Sequence, residues 1–248
     1  MTAKLYSLAL SHPALASQLM LERKEIDHEV VDLLPGMHPV RLRAARFRRG
    51  TVPALKLDGL RVQGSVPISR FLERLAPQPP LFPEEPPLRR AVEEAEAWGE
   101  RELQPIPRRM FRWGTVRDPG LRRWVAELSG LPAPNLAATL NAPVARRFAR
   151  VSDASDERVR ADLEALPAML DRVDRWIAEG TLGGAQVNAA DCQIASTVRV
   201  LLAYEDLQPL LEDRASAELA TRLFPSYPEP IPLRLPVAWL PTGAAQVS

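Results

Sequence analysis

The chain has 248 residues, 46% of them hydrophobic and 25% charged, close to globular norms, so wholesale disorder is excluded. Thirty-two basic residues against 31 acidic leave a formal charge of +1, which argues against a dedicated nucleic-acid binder. Proline is the outlier: its 25 residues are about twice the usual roughly 5% share, and exclude a long coiled coil or an uninterrupted helical bundle.

In chain order, residues 4–10 form a short apolar strand. Residues 14–24 follow as a helix, with Ala16, Leu19, Met20 and Lys24 at helical spacing. Residues 28–34, rich in β-branched and apolar side chains, are the next strand. An arginine-rich stretch, 40–48, reads as helix. Residues 51–63 hold two apolar runs around Asp58-Gly59, a β-hairpin signal. A helix over 65–75 starts at Ser65, with Pro67 in its first turn. The order is β-α-β-α-β-β-α.

Residues 77–87 then hold six prolines and read as a linker, neither helix nor central strand. Beyond it the pattern is helical: 88–103, stopped by Pro105 and Pro107; 120–129; 156–178; and 189–204. The third has the cleanest stripe: Val159, Leu163, Leu166, Leu170, Val173 and Ile177. Residues 225–241 hold six more prolines and form a tail.

Cys192 is the single cysteine, so neither an intrachain disulfide nor a thiolate metal cluster can form. His12, His28 and His38 make neither HExxH nor an HxH pair, so no metal site is expected. No apolar run approaches the roughly 20 residues of a membrane span. Lys4 and the apolar residues after it mimic a signal peptide, but Ser11, His12 and Pro13 break the run. It reads as a strand entering a helix, and the protein as cytoplasmic.

Three patterns carry a family resemblance. The first is Thr51-Val52-Pro53-Ala54-Leu55, followed by Asp58-Gly59 and Gln63-Gly64-Ser65. The second is Asn188-Ala189-Ala190-Asp191, a reciprocal capping box. The third is a proline-rich tail of the form PxPxxLPxxWLP. Together they make the chain resemble a cytosolic glutathione S-transferase, a bacterial member, over nearly its whole length. The resemblance implies a thioredoxin-like α/β domain over 1–78 that binds the thiol. It also implies an all-helical domain over 79–248 that binds the electrophile. The implied activity is conjugation of glutathione, or a similar cofactor thiol, to an electrophilic small molecule, with a detoxification role and a homodimeric state. A non-catalytic binding protein, or a thiol-dependent isomerase or peroxidase of the same fold, stays open beside it.

The same resemblance assigns residues. Val52 and Pro53, joined by a cis bond, present the Val52 backbone to the cysteinyl part of glutathione. Ser65 and the helix amides beside it hold the γ-glutamyl carboxylate. Gly64 stands where Glu or Gln is usual, and Gln63 is adjacent. His38 is placed to reach the glycyl carboxylate; its alternative is a surface-loop histidine. Ser11 is the catalytic candidate: its hydroxyl would hydrogen-bond the thiol sulfur and favour the thiolate, the alternative being a plain helix cap. His12 is a second donor candidate, or an exposed loop residue. Arg48 and Arg49 offer cations near Thr51. Cys192 reads as a small core hydrophobe. Trp98, Arg101, Arg108, Arg109, Met110 and Trp113 fall on the stretch that faces the cleft in this family.

Overall fold

Strand β1 (Ala3–Ser7) is the pivot of the sheet. In the computed structural model, which describes residues 3–241, it pairs in parallel with β2 (His28–Asp32) and antiparallel with β3 (Ala54–Leu57). β4 (Leu60–Gln63) completes the order β2-β1-β3-β4. Parallel strands need a crossover, and α1 (His12–Arg23) supplies it. The antiparallel β3–β4 pair needs only Asp58 and Gly59, whose φ values of +46° and +84° fit the tight hairpin turn favoured by strand twist. Between β2 and β3 lies α2 (His38–Ala44); after β4 comes α3 (Ser65–Leu75). This is the thioredoxin-like arrangement the sequence implied, with a shorter first strand and with α2 ending before Arg46, where φ reaches +64°.

Alternation along β1 fills two faces. Ala3 and Leu5 are buried with Leu55 and Leu57 of β3, Met20 and Leu21 of α1, and Ile68 and Leu72 of α3. On the other side Leu33, Leu42, Phe47 and Ala54 form a cluster against which Tyr6, Leu8 and Val52 pack. Lys24, at the end of α1, donates to Glu73 at 2.5 Å and to the Ala76 carbonyl at 2.7 Å, tying α1 to the end of α3.

The rest is helical. α4 (Pro86–Trp98) runs through a π-helical turn, Gly99–Leu103, towards α5 (Pro105–Arg117). Then come α6 (Pro119–Leu128), α7 (Pro134–Leu140), α8 (Ala142–Val151) and α9 (Asp156–Ala178). α10 (Ala189–Leu202), α11 (Gln208–Leu211) and α12 (Ala215–Leu223) follow. Pro105 and Pro107 therefore do not end helical structure; Pro105 opens the next helix. A proline in the first turn forfeits only an amide that has no helical partner anyway. The same placement recurs at the starts of α1, α2, α4, α6, α7, α8 and α11.

Two compact units result. One is the residues up to Arg101 together with Trp176–Thr197; the other is Glu102–Arg175 together with the residues from Val198 on. In the first, Asn188 and Asp191 cap one another: each side chain accepts the other's amide, at 3.0 and 2.9 Å. Asp191 also accepts the Gly183 amide, and Asn188 donates to the Thr181 carbonyl. In the second unit the proline-rich tail is packed: Tyr227, Ile231, Leu233 and Leu235 are buried, and Ile231 donates to the Ala203 carbonyl. Residues 1–2 and 242–248, the ends of the two expected domains, lie outside the described residues.

Candidate functional site

The β3–β4 ladder pairs Ala54 with Gln63. One step outward the Pro53 carbonyl accepts the Gly64 amide at 3.0 Å. Val52 and Pro53 thus lie beside Gly64 and Ser65 at the open end of the ladder. The Val52–Pro53 bond is cis. The Val52 side chain packs on the Leu33–Leu42–Phe47 cluster, which fixes its backbone at that end.

Gln63 is committed elsewhere. Its side-chain oxygen accepts the Arg49 amide at 2.9 Å, and its nitrogen donates to the carbonyls of Arg49 and Thr51 at 2.8 and 3.1 Å. It acts as an extra rung that holds the loop before Val52. Arg48 and Arg49 are exposed.

Gly64 has φ +98° and ψ 145°, a region that side-chain-bearing residues rarely occupy. Ser65 opens α3 and is buried. The first helical bond runs from Ile68 to the Gly64 carbonyl at 3.0 Å. Helix geometry leaves the Ser65 and Val66 amides without intrahelical partners, and Pro67 has none to offer. These amides and the helix dipole favour an anion at this end.

Ser11 stops the loop after β1. Its carbonyl accepts the Ala14 and Leu15 amides at 2.9 and 3.0 Å, but its hydroxyl makes no capping bond. The cap here is formed by the main chain. His12, the first residue of α1, is buried rather than an exposed loop residue. His38 is likewise buried and opens α2, so it is not a surface-loop histidine. The Leu33 amide donates to Ser7 at 2.9 Å and extends the β1–β2 pairing to the end of β1. Ser11 and His38 follow from this end of the sheet, where β3 begins.

Cys192 is fully buried in α10, and burial pushes its thiol pKa well up, in keeping with a core residue. Among the residues expected to face a cleft, Arg109 is spent on structure. It grips Asp162 with two hydrogen bonds of 2.5 and 2.7 Å. Trp113 is buried and donates to Asp156 at 2.7 Å, Met110 is buried, and Arg101 is exposed. Trp98 meets Trp176 edge-on at 5.2 Å.

Sequence reasoning missed a buried polar cluster under α3. Glu96 of α4 is fully buried. It accepts the Ser69 hydroxyl at 2.6 Å and sits 2.6 Å from the Arg70 guanidinium. Arg70 in turn lies 4.1 Å from the centre of the Phe82 ring. Burial pushes the Glu96 pKa up to about 7, against the pull of Arg70 and Ser69. Its signal was an acid four residues after the buried Val92, on the apolar stripe.

Among the described residues no group of three or more His, Cys, Asp or Glu side chains could hold a metal ion. No helix there is long and apolar enough to cross a membrane.

This geometry defines a class. Residues 5–80 match the family model for the glutathione S-transferase N-terminal domain. Those residues are thus a glutathione S-transferase N-terminal domain, and with the helical remainder the chain has the fold of that family. Among solved structures it is similar to a glutathione S-transferase from Methylobacterium radiotolerans in complex with glutathione sulfonate, at 18% identity, 90% coverage of both chains and a TM-score of 0.55. It is also similar to a beta-etherase from Sphingobium, at 20% identity, 82% coverage of this chain and 84% of that one, with a TM-score of 0.57. A theta-class glutathione S-transferase from Xanthomonas axonopodis pv. citri with glutathione bound shares 17% identity over 79% of this chain and 81% of that one, with a TM-score of 0.54. Comparison with curated protein sequences finds no match.

Proposed function

We propose that the protein is a glutathione S-transferase-like enzyme that conjugates glutathione, or a similar thiol, to an electrophilic small molecule. Residues 1–78 hold the thiol and residues 79–248 shape the electrophile site. The observation that supports this most is the juxtaposition of the Val52–Pro53 edge with the Gly64–Ser65 start of α3. A tripeptide thiol adds to that edge as a short strand, through the Val52 N–H and C=O. Its γ-glutamyl carboxylate takes the Ser65 hydroxyl and the first amides of α3, and its glycyl carboxylate lies towards His38. A free thiol ionises near pH 8.5, at roughly one part in thirty at neutral pH. A hydrogen bond from Ser11, whose hydroxyl is not used as a cap, favours the thiolate. The sulfur then forms its bond to the electrophilic carbon, and the leaving group departs with its electron pair. The nucleophile is the bound thiol; Ser11 orients it. The reading includes a cytoplasmic homodimer acting in detoxification, as in the resemblance.

Retention on a glutathione matrix with competitive elution tests the reading. Ser65→Ala should weaken glutathione binding roughly tenfold or more, the worth of a hydrogen bond to a charged group. Ser11→Ala should leave affinity nearly unchanged and raise the pKa of the bound thiol, read from its ultraviolet thiolate absorbance. Absence of both retention and thiol-dependent turnover would sink the proposal.

Gly64 supports a second reading. Gly64 carries no side chain and Gln63 is held by the 49–51 backbone, so neither meets a γ-glutamyl ammonium. A thiol lacking that ammonium, or a binding role without turnover, fits this feature better. A thermal-shift screen of free thiols separates the readings, since a ligand specific to the folded state at a hundredfold its Kd raises stability by about 2.7 kcal/mol.

A further inference from the structure

One side of α2 is core: His38 and Leu42, four residues apart, are buried, as is Phe47 after the helix. Helical geometry sets Met37, Val40 and Ala44 on the opposite side. All three are exposed, Met37 at 56% and Val40 at 61%. Leu34, just before the helix, is 42% exposed. The outward face of a surface helix is ordinarily polar; this one is apolar. Arg41 and Arg43 flank it, and Arg46, Arg48 and Arg49 follow, all exposed. β4 adds Arg61, which donates to the Ala45 carbonyl at 2.9 Å, at the end of α2. From Leu33 to Leu57 no acidic residue occurs. Over 1–78 there are 12 basic residues against 7 acidic, an excess hidden in the net +1 of the whole chain. Among the described residues no ion pair engages these six arginines.

We propose that the outer face of α2, with the arginines around it, docks this unit on the surface of an anionic lipid bilayer. The guanidinium groups pair with lipid phosphates, and Met37 and Val40 enter the boundary between headgroups and acyl chains. The inner side of α2 is held in the core, so the contact is shallow and peripheral. Charge complementarity selects an anionic partner, and the apolar tips select among anions. A nucleic acid would satisfy the arginines alone; its bases would want a ring to stack on, and the one ring in this stretch, Phe47, is buried. An acidic peptide would likewise take the charges and leave Met37 and Val40 uncovered. A bilayer surface accepts both kinds of side chain, and long arginine stems reach its phosphates while lying along its apolar edge. The proposal concerns this unit alone and does not depend on the thiol reading.

Flotation of the full chain with lipid vesicles tests it. Binding is expected to vesicles of phosphatidylcholine mixed with phosphatidylglycerol and not to phosphatidylcholine alone, and added salt should weaken it. These readings use the unaltered protein, so no variant's folding can confuse them. Arg41→Gln/Arg43→Gln should weaken binding roughly tenfold or more, and Val40→Gln should weaken it by a smaller factor. An environment-sensitive fluorophore on Met37→Cys should shift to the blue on the mixed vesicles. One on Glu22→Cys of α1, across the sheet, should not; Cys192 is fully buried and stays unlabelled. No binding to the mixed vesicles, or equal binding to phosphatidylcholine alone, would overturn the proposal. So would binding indifferent to Val40→Gln with no shift of the Met37 label, because charge alone would then be acting. Release of the protein from the vesicles by polyglutamate or a single-stranded oligonucleotide at equal anion concentration would overturn the assignment to lipid.

Discussion

Around Val52 and Ser65 the polar work falls to main-chain amides and neutral side chains, whereas along α5 it falls to guanidinium groups. The first region needs no ionised side chain to favour an anion: a ladder end, a helix start and the Gln63 amide set its shape. Its precision lies in backbone dihedrals. In the second region each arginine needs its own acceptor, and the acids of α9 reach only some of them. The difference teaches where each region is fragile. The strand-edge site is sensitive to backbone conformation, and the helical region to removal of a single carboxylate.

Asp162 offers the strongest way to break the contrast. It is 6% exposed and neutralises Arg109 through both oxygens. Asp162→Ala should cost roughly 3–5 kcal/mol, because it strands the largely buried Arg109 guanidinium. Denaturant unfolding measures it. The double variant Arg109→Met/Asp162→Leu should recover most of the loss, since the pair itself contributes little beyond what apolar packing would. If the double variant is as unstable as the single, the pair stabilises in its own right and the contrast weakens.

Glu96 sharpens the comparison from the other side, as an ionisable group buried in the unit that otherwise relies on neutral polar groups around its site. Its carboxyl ordinarily titrates at 4.5, and burial raises it to about 7. The folded state therefore holds a proton that the unfolded state has lost across this window. The stabilisation from that proton is full below 4.5 and is lost as pH rises through 7. Relative to Glu96→Gln, the native protein should lose on the order of 3 kcal/mol across this range and then level off. Parallel thermal unfolding of the two proteins against pH reads the difference. A flat difference would mean that Arg70 keeps Glu96 ionised throughout.

Much of this was legible beforehand. Asp58-Gly59 announced the hairpin because few residues tolerate two consecutive positive φ values. The four-three spacing of the α9 stripe gave that helix its bounds, 156 to 178. Asn188 and Asp191 gave the start of α10, because reciprocal capping is a local rule. Prolines at 105, 134 and 143 hid α5, α7 and α8, since a proline that opens a helix looks like one that stops it. His12 and His38 were misjudged because loop composition does not report which neighbours cover a side chain. The Glu96–Arg70–Ser69 cluster joins residues far apart in sequence, and pairing at that distance is set by packing. Which arginines of α5 the acids of α9 would reach was equally hidden, although the absence of acids in α5 and α8 was visible.

Gly64 gives the smallest and most local test. Two features bear on an added Cβ there: φ is +98°, and the Cβ would lie 3.2 Å from the Pro67 ring. Gly59 shares the first feature, with φ +84°, but a Cβ on it would meet nothing within 4 Å. Gly59→Ala should therefore cost the dihedral penalty alone, about 1 kcal/mol, and Gly64→Ala up to about 3 kcal/mol. The excess belongs to the extended ψ of 145° at Gly64 together with the Pro67 contact, which presses on the first turn of α3 where Ser65 stands. If the excess is real, Gly64→Ala should also weaken glutathione binding, because shifting that turn moves the anion-facing amides, while Gly59→Ala should leave binding unchanged. Equal losses of stability in the two variants would show that the turn absorbs a Cβ freely, and that glycine at 64 reflects backbone conformation and nothing about the room beside Ser65.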